Sequence, residues 1–335
     1  MFILGLETSC DETSAAVVED DRRILSSVVA SQADLHAKWG GVVPEVASRM
    51  HVERTLPVII EALEQARCTP EDLAGIAVTN RPGLVGALVV GVACAKALAY
   101  AWRKPLIGVH HLVGHVHAAP LADRWLSFPF LCLVVSGGHT ELIVAEGPDS
   151  FYCVGRTRDD AAGECFDKAA RLLGLPYPGG PALERLAREG NREAVSFPRA
   201  WLQHSLDFSF SGLKTAVARY VARPDPSVTQ ADIAASLQAA IVDVLVTKTI
   251  LAAEATGIRK VAIAGGVAAN ETLASEFRAA CKAKGYDATV PPKELCTDNA
   301  AMIAAAAYRR LRRGEADGLN LDVVATEYLP LRSVK

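Results

Sequence analysis

The chain has 335 residues, 50% hydrophobic and 22% charged, with a formal net charge of −3. That composition excludes a disordered or fibrous chain and allows two ordinary domains with their own cores. The charge argues against bulk nonspecific nucleic-acid binding and leaves room for a local basic patch.

The eight cysteines are scattered without a CxxC. This reads as a set of buried thiols in a cytoplasmic protein and not as a disulfide framework. The opening Met1–Leu6 is apolar but soon meets Asp11 and Glu12, unlike a signal peptide. The most apolar run, Leu84 to Tyr100, contains Lys96 and reads as a buried helix and not a membrane span.

In chain order, Ile3–Leu6 reads as a buried strand, Glu7–Thr13 as a polar turn, and Ser14–Val18 and Ile24–Val29 as further strands. A helix opened by proline follows near Pro44–Ala66. Ala74–Thr79 is a strand that ends in the loop Asn80–Gly86, which feeds a helix over 86–101. Leu106–Val109 is a strand that delivers a histidine-rich segment. The second half repeats this order. Phe130–Val135, the turn Ser136–Thr140, Glu141–Ala145 and Phe151–Gly155 precede helices at about 161–174 and 181–190. Val261–Ala264 then ends in Gly265-Gly266 and opens a helix near Asn270, and Ala300–Leu311 is a last apolar helix.

A hairpin, a third strand, helices and a strand–glycine–helix unit therefore occur twice. The repetition predicts an α/β chain of two similar lobes, with mixed sheets flanked by helices. We expect residues 1–118, completed by a C-terminal helix 299–335, to form one lobe, and 119–298 to form the other, which carries nucleotide-binding motifs. Two polar turns, 7–13 and 136–140, are expected to face a crevice at the carboxyl ends of the strands. This is the layout of the actin-like superfamily of sugar kinases and heat-shock ATPases, and it speaks of nucleotide or phosphate without naming a reaction.

Four of the eight histidines lie within Val109–His117. On a helix His111 and His115 are one turn apart on one face, which suits a shared metal ion, while His110 points away. The plain alternative is a histidine-rich helix end. Asp298, just before the last helix, is the candidate third ligand; as a plain alternative it is that helix's N-cap. Two imidazoles and a carboxylate with open positions suit Fe(II) or Zn(II). Ser136-Gly137-Gly138 can cradle an anion with unhindered amides, or is only a hairpin turn. Asn270 after the Gly265-Gly266 pair can read the polar edge of a base. Asp167 and Glu184 can accept from ribose hydroxyls, although Asp167 can equally be an exposed helix charge. Arg309, Arg310, Arg312 and Arg313 complement a helix dipole or contact nucleic-acid phosphate.

Glu7–Ser14, Gly40–Arg49, Pro82–Leu88, His110-His111…His115, Leu133–Thr140, Phe208–Thr215, Ala264-Gly-Gly-Val…Asn270 and Cys296–Asn299 together resemble one family, the tRNA N6-adenosine threonylcarbamoyltransferases, TsaD in bacteria. The match runs in order from about residue 3 to 310. The resemblance implies an actin-like fold and transfer of the threonylcarbamoyl group from threonylcarbamoyl-AMP to N6 of adenosine 37 in tRNAs reading codons that start with A. It implies one divalent metal, Fe(II) before Zn(II), on His111, His115 and Asp298. It implies substrate contacts at Val134, Val135, Ser136, Gly137, Gly138, Asp167, Gly180 and Asn270, with Glu184 where some relatives place a ribose-binding acid. Val134 stands where archaeal and eukaryotic relatives carry tyrosine, which points to the bacterial branch. In bacteria the family works with an inactive paralogous subunit (TsaB) and a small ATPase (TsaE), and no membrane is implied. Arg81 departs from the Gly-Pro-Gly of most relatives.

The chemistry suits these residues. An aromatic exocyclic amine is a poor nucleophile, so its attack on a mixed anhydride needs orientation and an electrophile. Asp11 or Glu12 is the candidate acceptor of the amine proton; the plain alternative is that both only stabilise the first turn. A metalloprotease would need Glu after the first histidine, where Leu112 stands. An actin-like kinase would use carboxylates and Mg²⁺ and not a histidine pair. A catalytically dead scaffold would not be expected to keep all three metal ligands.

Overall fold

In a computed structural model, residues 1–333 are described; Val334 and Lys335, the end of the expected segment 299–335, lie outside them. The chain divides into two compact units. One comprises Met1–Ser127, Gly147–Ser150 and Glu294–Leu329; the other comprises Phe128–Glu146, Phe151–Lys293 and Pro330–Lys335. The expected boundary at 118/119 falls inside a helix, so the division comes after that helix and its loop, at Ser127. Residues 294–298 go with the first unit.

In the first unit β1 (Phe2–Glu7), β2 (Glu12–Glu19) and β3 (Arg23–Ser31) form an antiparallel meander. The short α1 (Ala33–His36) and the long α2 (Pro44–Ala66) follow, then β4 (Leu73–Arg81), α3 (Val85–Trp102), β5 (Leu106–His110) and α4 (His111–Ala122). The second unit holds β6 (Phe130–Val135), β7 (Thr140–Gly147), β8 (Ser150–Arg156), α5 (Ala162–Leu172), α6 (Gly179–Ala187), α7 (Ser211–Ala222), α8 (Gln230–Thr256), β9 (Lys260–Ala264), α9 (Glu271–Lys284) and β10 (Asp287–Thr289). The chain then passes through the short α10 (Lys293–Cys296) to α11 (Ala300–Arg312), back in the first unit. The expected long C-terminal helix thus ends at Arg312, where the glycine at 314 takes φ +75°.

The sheets run β3-β2-β1-β4-β5 and β8-β7-β6-β9-β10, so the second repeats the first strand for strand. In both, the first strand of the unit pairs antiparallel with the next and parallel with the fourth. Each first strand is therefore central, and its carboxyl end leads straight into a polar turn. This duplicated mixed-sheet order with flanking helices is the actin-like fold.

The first core has two faces. Leu4, Leu6, Ile76 and Val78 pack toward α2 and α3, while Ile3, Ala77, Ile107 and Val109 pack against Ala301, Ile303, Ala304 and Ala307 of α11. The alternation along β1 sends neighbouring side chains to opposite faces. Small residues bring α11 close. A Cβ on Gly5 would meet the Ala300 carbonyl oxygen at 2.2 Å, so only glycine permits that approach.

Candidate metal centre and anion-binding turn

Helix α4 begins at His111, and the His110 Nδ1 accepts from Leu112 N at 3.2 Å as its cap. His117 Nδ1 donates to the Val113 carbonyl at 2.9 Å. These two histidines have ordinary structural work. His111 and His115 share the remaining face, with ring centroids 4.6 Å apart. That face approaches α11 because Gly114 lets it: a Cβ there would lie 2.6 Å from the Ile303 side chain.

At the start of α11, Asn299 is the N-cap, its side chain accepting from Met302 N at 3.0 Å. Ser14 Oγ also accepts from Ala300 N at 3.0 Å. Asp298 is therefore not the cap, and its carboxylate is released toward the histidines. Asp298 Oδ1 stands 3.1 Å from His115 Nε2 and 3.6 Å from His111 Nε2. One ligand atom from each of the three residues falls within 4.8 Å of the others.

These residues fit a small divalent ion. His115 is fully buried, and among the described residues neither of its ring nitrogens makes a hydrogen bond of good geometry. Such a group is costly unless something else uses its lone pair. Behind His111 stands Glu7, also fully buried, with Oε2 at 3.1 Å from His111 Nδ1. Thr79 Oγ1 donates to the same oxygen at 2.6 Å. This carboxylate–histidine contact puts the Nδ1 proton toward Glu7 and turns Nε2 to Asp298, the arrangement that orients a metal-ligating imidazole.

Charges follow the geometry. Burial alone pushes His111 down, but the Asp298 and Glu7 carboxylates outweigh it and hold the imidazole at about 9. Burial pushes Glu7 up, and the His111 charge with its hydrogen bond brings it below the ordinary carboxylate value. His115 is pushed down, chiefly by burial. Nearby, Glu12 is raised to about 9 by burial first, then by the Asp298 and Asp11 charges.

We predict that Glu7→Gln keeps the fold and weakens metal affinity by roughly 10–100-fold, the usual cost of losing a partner behind a ligand. Metal titration followed by tryptophan or metal spectroscopy measures it; unchanged affinity removes Glu7 from the site.

In the second unit, the turn after β6 is closed by Ser136 N donating to the His139 carbonyl (2.8 Å) and His139 N donating to Ser136 Oγ (3.2 Å). Gly137 and Gly138 have nothing within 4 Å of a built Cβ and no left-handed φ. Neither packing nor backbone conformation demands glycine there, and no side chain of either residue covers its amide. Val134 and Val135 have fully buried side chains, so they offer backbone alone. Two further glycines fit other elements around the turn: Gly265, of the Gly265-Gly266 pair expected beside a base, and Gly163, which no sequence motif marked. Gly163 brings α5 against it, since a Cβ would sit 2.5 Å from the Ser136 carbonyl oxygen. Gly265, at φ +92°, brings the end of β9 against Val135.

The other expected contacts lie along the same ring of elements. Asp167 Oδ1 accepts from Gly180 N at 3.1 Å and so joins α5 to α6; it is not a lone exposed charge. Asn270 caps α9 through Leu273 N (2.9 Å) and donates to Gln238 Oε1 (2.9 Å). Glu184 Oε1 accepts from Glu271 N at 2.8 Å in the first turn of the same helix.

The basic cluster is largely spent internally. Arg310 pairs with Asp317 at 2.9 Å, and Arg313 with Glu315 at 2.6 Å and Asp149. Arg309 Nε lies 3.7 Å from Asp21. Arg312 is exposed and makes no ion pair among the described residues. Arg81 is paired with Glu327, beside the point where Gly83 N donates to the Ala325 carbonyl at 3.1 Å. Its charge thus holds the C-terminal segment against the loop.

A profile of the tRNA N6-adenosine threonylcarbamoyltransferases, TsaD, matches residues 23–305. A protein of that name from Symbiobacterium thermophilum is 57% identical over 325 residues, covering 96% of this chain and 95% of the relative. One from Moorella thermoacetica is 56% identical over 326 residues, with 96% and 95% covered. Among solved structures, the full-length HypF in its phosphate- and nucleotide-bound form superposes with a TM-score of 0.63 at 15% identity, over 94% of this chain and 47% of that one. The Acidaminococcus fermentans (R)-2-hydroxyglutaryl-CoA dehydratase component A gives 0.54 at 16% identity, over 93% and 99%. At such identities these two report the fold alone. The near full-length bacterial relatives and the profile carry the assignment: this chain belongs to the tRNA N6-adenosine threonylcarbamoyltransferase family.

Proposed function

We propose that the chain transfers the threonylcarbamoyl group of threonylcarbamoyl-AMP to N6 of adenosine 37 in tRNAs reading codons that start with A, forming t6A and releasing AMP. The observation that carries the reading is the convergence of His111, His115 and Asp298, backed by buried Glu7, in a chain of this family. The amine nitrogen attacks the carbamoyl carbon, the new C–N bond forms, the C–O bond to AMP breaks, and the amine gives up one proton. In the second unit Ser136, Gly137 and Gly138 hold an anionic group of the adenylate with their amides. Val134 and Val135 supply backbone edges, and Asp167, Gly180, Glu184 and Asn270 line the nucleoside. Asp11 takes the amine proton in this reading, because the Glu12 carboxyl is engaged by a neighbouring strand. Glu12 then stabilises the turn, accepting from Ser31 Oγ at 3.3 Å. His111, His115 and Asp298 hold one divalent metal, Fe(II) before Zn(II), which when bound supplies a Lewis acid for developing negative charge.

The test is direct. The purified chain, with its bacterial partner subunits, unmodified tRNA and synthetic threonylcarbamoyl-AMP, is expected to yield t6A in a nucleoside digest. Adenylate hydrolysis without modified nucleoside would overturn the reading.

A partner surface is also proposed. Val52, Leu56 and Ile60 recur at one-turn spacing on α2 and are 66%, 55% and 55% exposed; Val85 and Val89 continue the patch on the adjoining α3. A contiguous apolar face of this kind marks an interface. Its occupant in this reading is the paralogous subunit (TsaB), with a small ATPase (TsaE) joining the complex. We expect Leu56→Glu with Ile60→Glu to leave metal content unchanged and weaken pairing with that subunit at least tenfold in sedimentation or titration. Retained pairing removes the patch as its dock. The same reading places the protein in the cytoplasm with its tRNA and no membrane partner. Arg309 and Arg312 remain its candidates for tRNA phosphate. Reversing both is expected to lower tRNA affinity and flatten the log K against log salt slope by about one to two; an equal slope returns them to the helix end.

A further inference from the structure

The turn that carries Asp11 and Glu12 is held by a buried histidine that neither the metal site nor the anion turn uses. His51, on α2, has no exposed surface. Its Nε2 lies 2.9 Å from the Cys10 carbonyl oxygen and its Nδ1 lies 2.8 Å from Thr13 Oγ1. A carbonyl only accepts, so the proton is on Nε2. Nδ1 of the neutral ring then accepts, and Thr13 donates to it. Burial holds His51 below its ordinary value, in keeping with that neutral tautomer. One ring therefore fastens both ends of the four-residue turn Cys10–Thr13. A second clamp lies between them: Gln32 N donates to the Asp11 carbonyl at 3.1 Å. Gln32 is in turn held by His36, whose Nδ1 accepts from Val43 N (3.3 Å) and whose Nε2 donates to Gln32 Oε1 (3.2 Å). The two histidines flank Gly40–Arg49, a segment that supplies no residue to the metal site or the anion turn.

We propose that His51 is a positioning residue of the transfer reaction, acting through the Cys10–Thr13 turn to set the Asp11 carboxylate. The inference rests on the proposed function. A mere packing role would lower stability without a selective effect on turnover. A positioning role lowers kcat, because a shift of about 1 Å in a reacting group costs on the order of 100-fold. It leaves metal content and the KM for threonylcarbamoyl-AMP near wild type, since His51 touches neither site.

The experiment is a double-mutant cycle of His51→Ala and Asp11→Ala in the full chain with its partners, read as kcat, KM and metal per chain. We expect His51→Ala to lower kcat by roughly 10–100-fold. In the Asp11→Ala background it should lower it by less than about twofold, because residues that act as one unit are not additive. His51→Gln, whose amide N–H can reach the Cys10 carbonyl, should restore part of the loss. The inference is overturned if the two losses multiply, if KM or metal content changes as much as kcat, or if His51→Ala turns over normally. If His51→Ala does not fold, Thr13→Val, which removes the donor to His51 Nδ1, carries the same cycle under the same criteria. A wild-type chain that forms no t6A overturns the function reading and this inference with it; an active wild type with an additive cycle overturns the inference alone.

Discussion

Asp298→Asn is expected to abolish metal binding and threonylcarbamoyl transfer together while leaving the helix that follows intact. Asn caps helices about as well as Asp, so a capping residue would tolerate the exchange. The cap of α11 is Asn299, not Asp298. What Asp298 supplies is an anionic oxygen 3.1 Å from His115 Nε2, and a neutral amide oxygen is a much poorer partner for a divalent cation. His111→Ala and His115→Ala should share the phenotype, with transfer lower by 100-fold or more as an order-of-magnitude expectation for a lost electrophile. His110→Ala should be milder, because that ring caps α4. Asn299→Ala is the contrasting variant: it should cost about 1 kcal/mol of stability with metal retained. Metal per chain by mass spectrometry, beside a tRNA digest and a melting curve, reads all five. Full metal in Asp298→Asn would send the search for a third ligand elsewhere, with His139 next.

The same site sets a pH dependence. The metal-free His111 carries its proton up to about pH 9, and ligation requires that proton to leave. Metal affinity should therefore rise with pH toward 9, by at most about tenfold per unit, and level off above it. His115, pushed down by burial, contributes little to the slope above neutrality. An affinity flat from pH 6 to 9 would contradict the Asp298–His111–Glu7 charge balance.

Much of this is legible in the sequence alone. The hairpin–strand–helix repeat announces two similar sheets, and helical spacing alone pairs His111 with His115. Other features are not, for identifiable reasons. Helix α8 is apolar around its circumference because it is buried on nearly all sides, so it carries no amphipathic period to detect. Strand β10 has three residues, too few for alternation to show. Glu7 reads as one more acid in a polar turn until Thr79 and His111, 72 and 104 residues away, are seen around it. The cap assignment turned on one residue: both Asp298 and Asn299 are good caps by type, and only the Met302 contact decides between them. The arginines at 309–313 looked like one patch because their partners, Asp21, Asp149 and Asp317, are remote in sequence or on another segment.

Gly137→Val should weaken binding of threonylcarbamoyl-AMP by roughly 10–100-fold, because one or two charge-assisted hydrogen bonds of about 1.5–3 kcal/mol are lost when the anion can no longer reach the amides. The fold gives no other reason for damage. The built Cβ at 137 meets nothing within 4 Å and the backbone is not left-handed, so the melting temperature should stay close to wild type. Ser136→Val should lose comparable affinity and somewhat more stability, because Ser136 Oγ also accepts from His139 N. Gly163→Val separates the two effects. Its Cβ would press on the Ser136 carbonyl and the Gly137 backbone from the α5 side, so that variant should lose stability and affinity together. Metal content should be unchanged in Gly137→Val, since all three ligands belong to the other unit. Calorimetry with the adenylate or a stable analogue is the measurement. If Gly137→Val binds it as tightly as wild type, the open glycines at 137 and 138 have some other purpose and the anion cradle is removed from the reading.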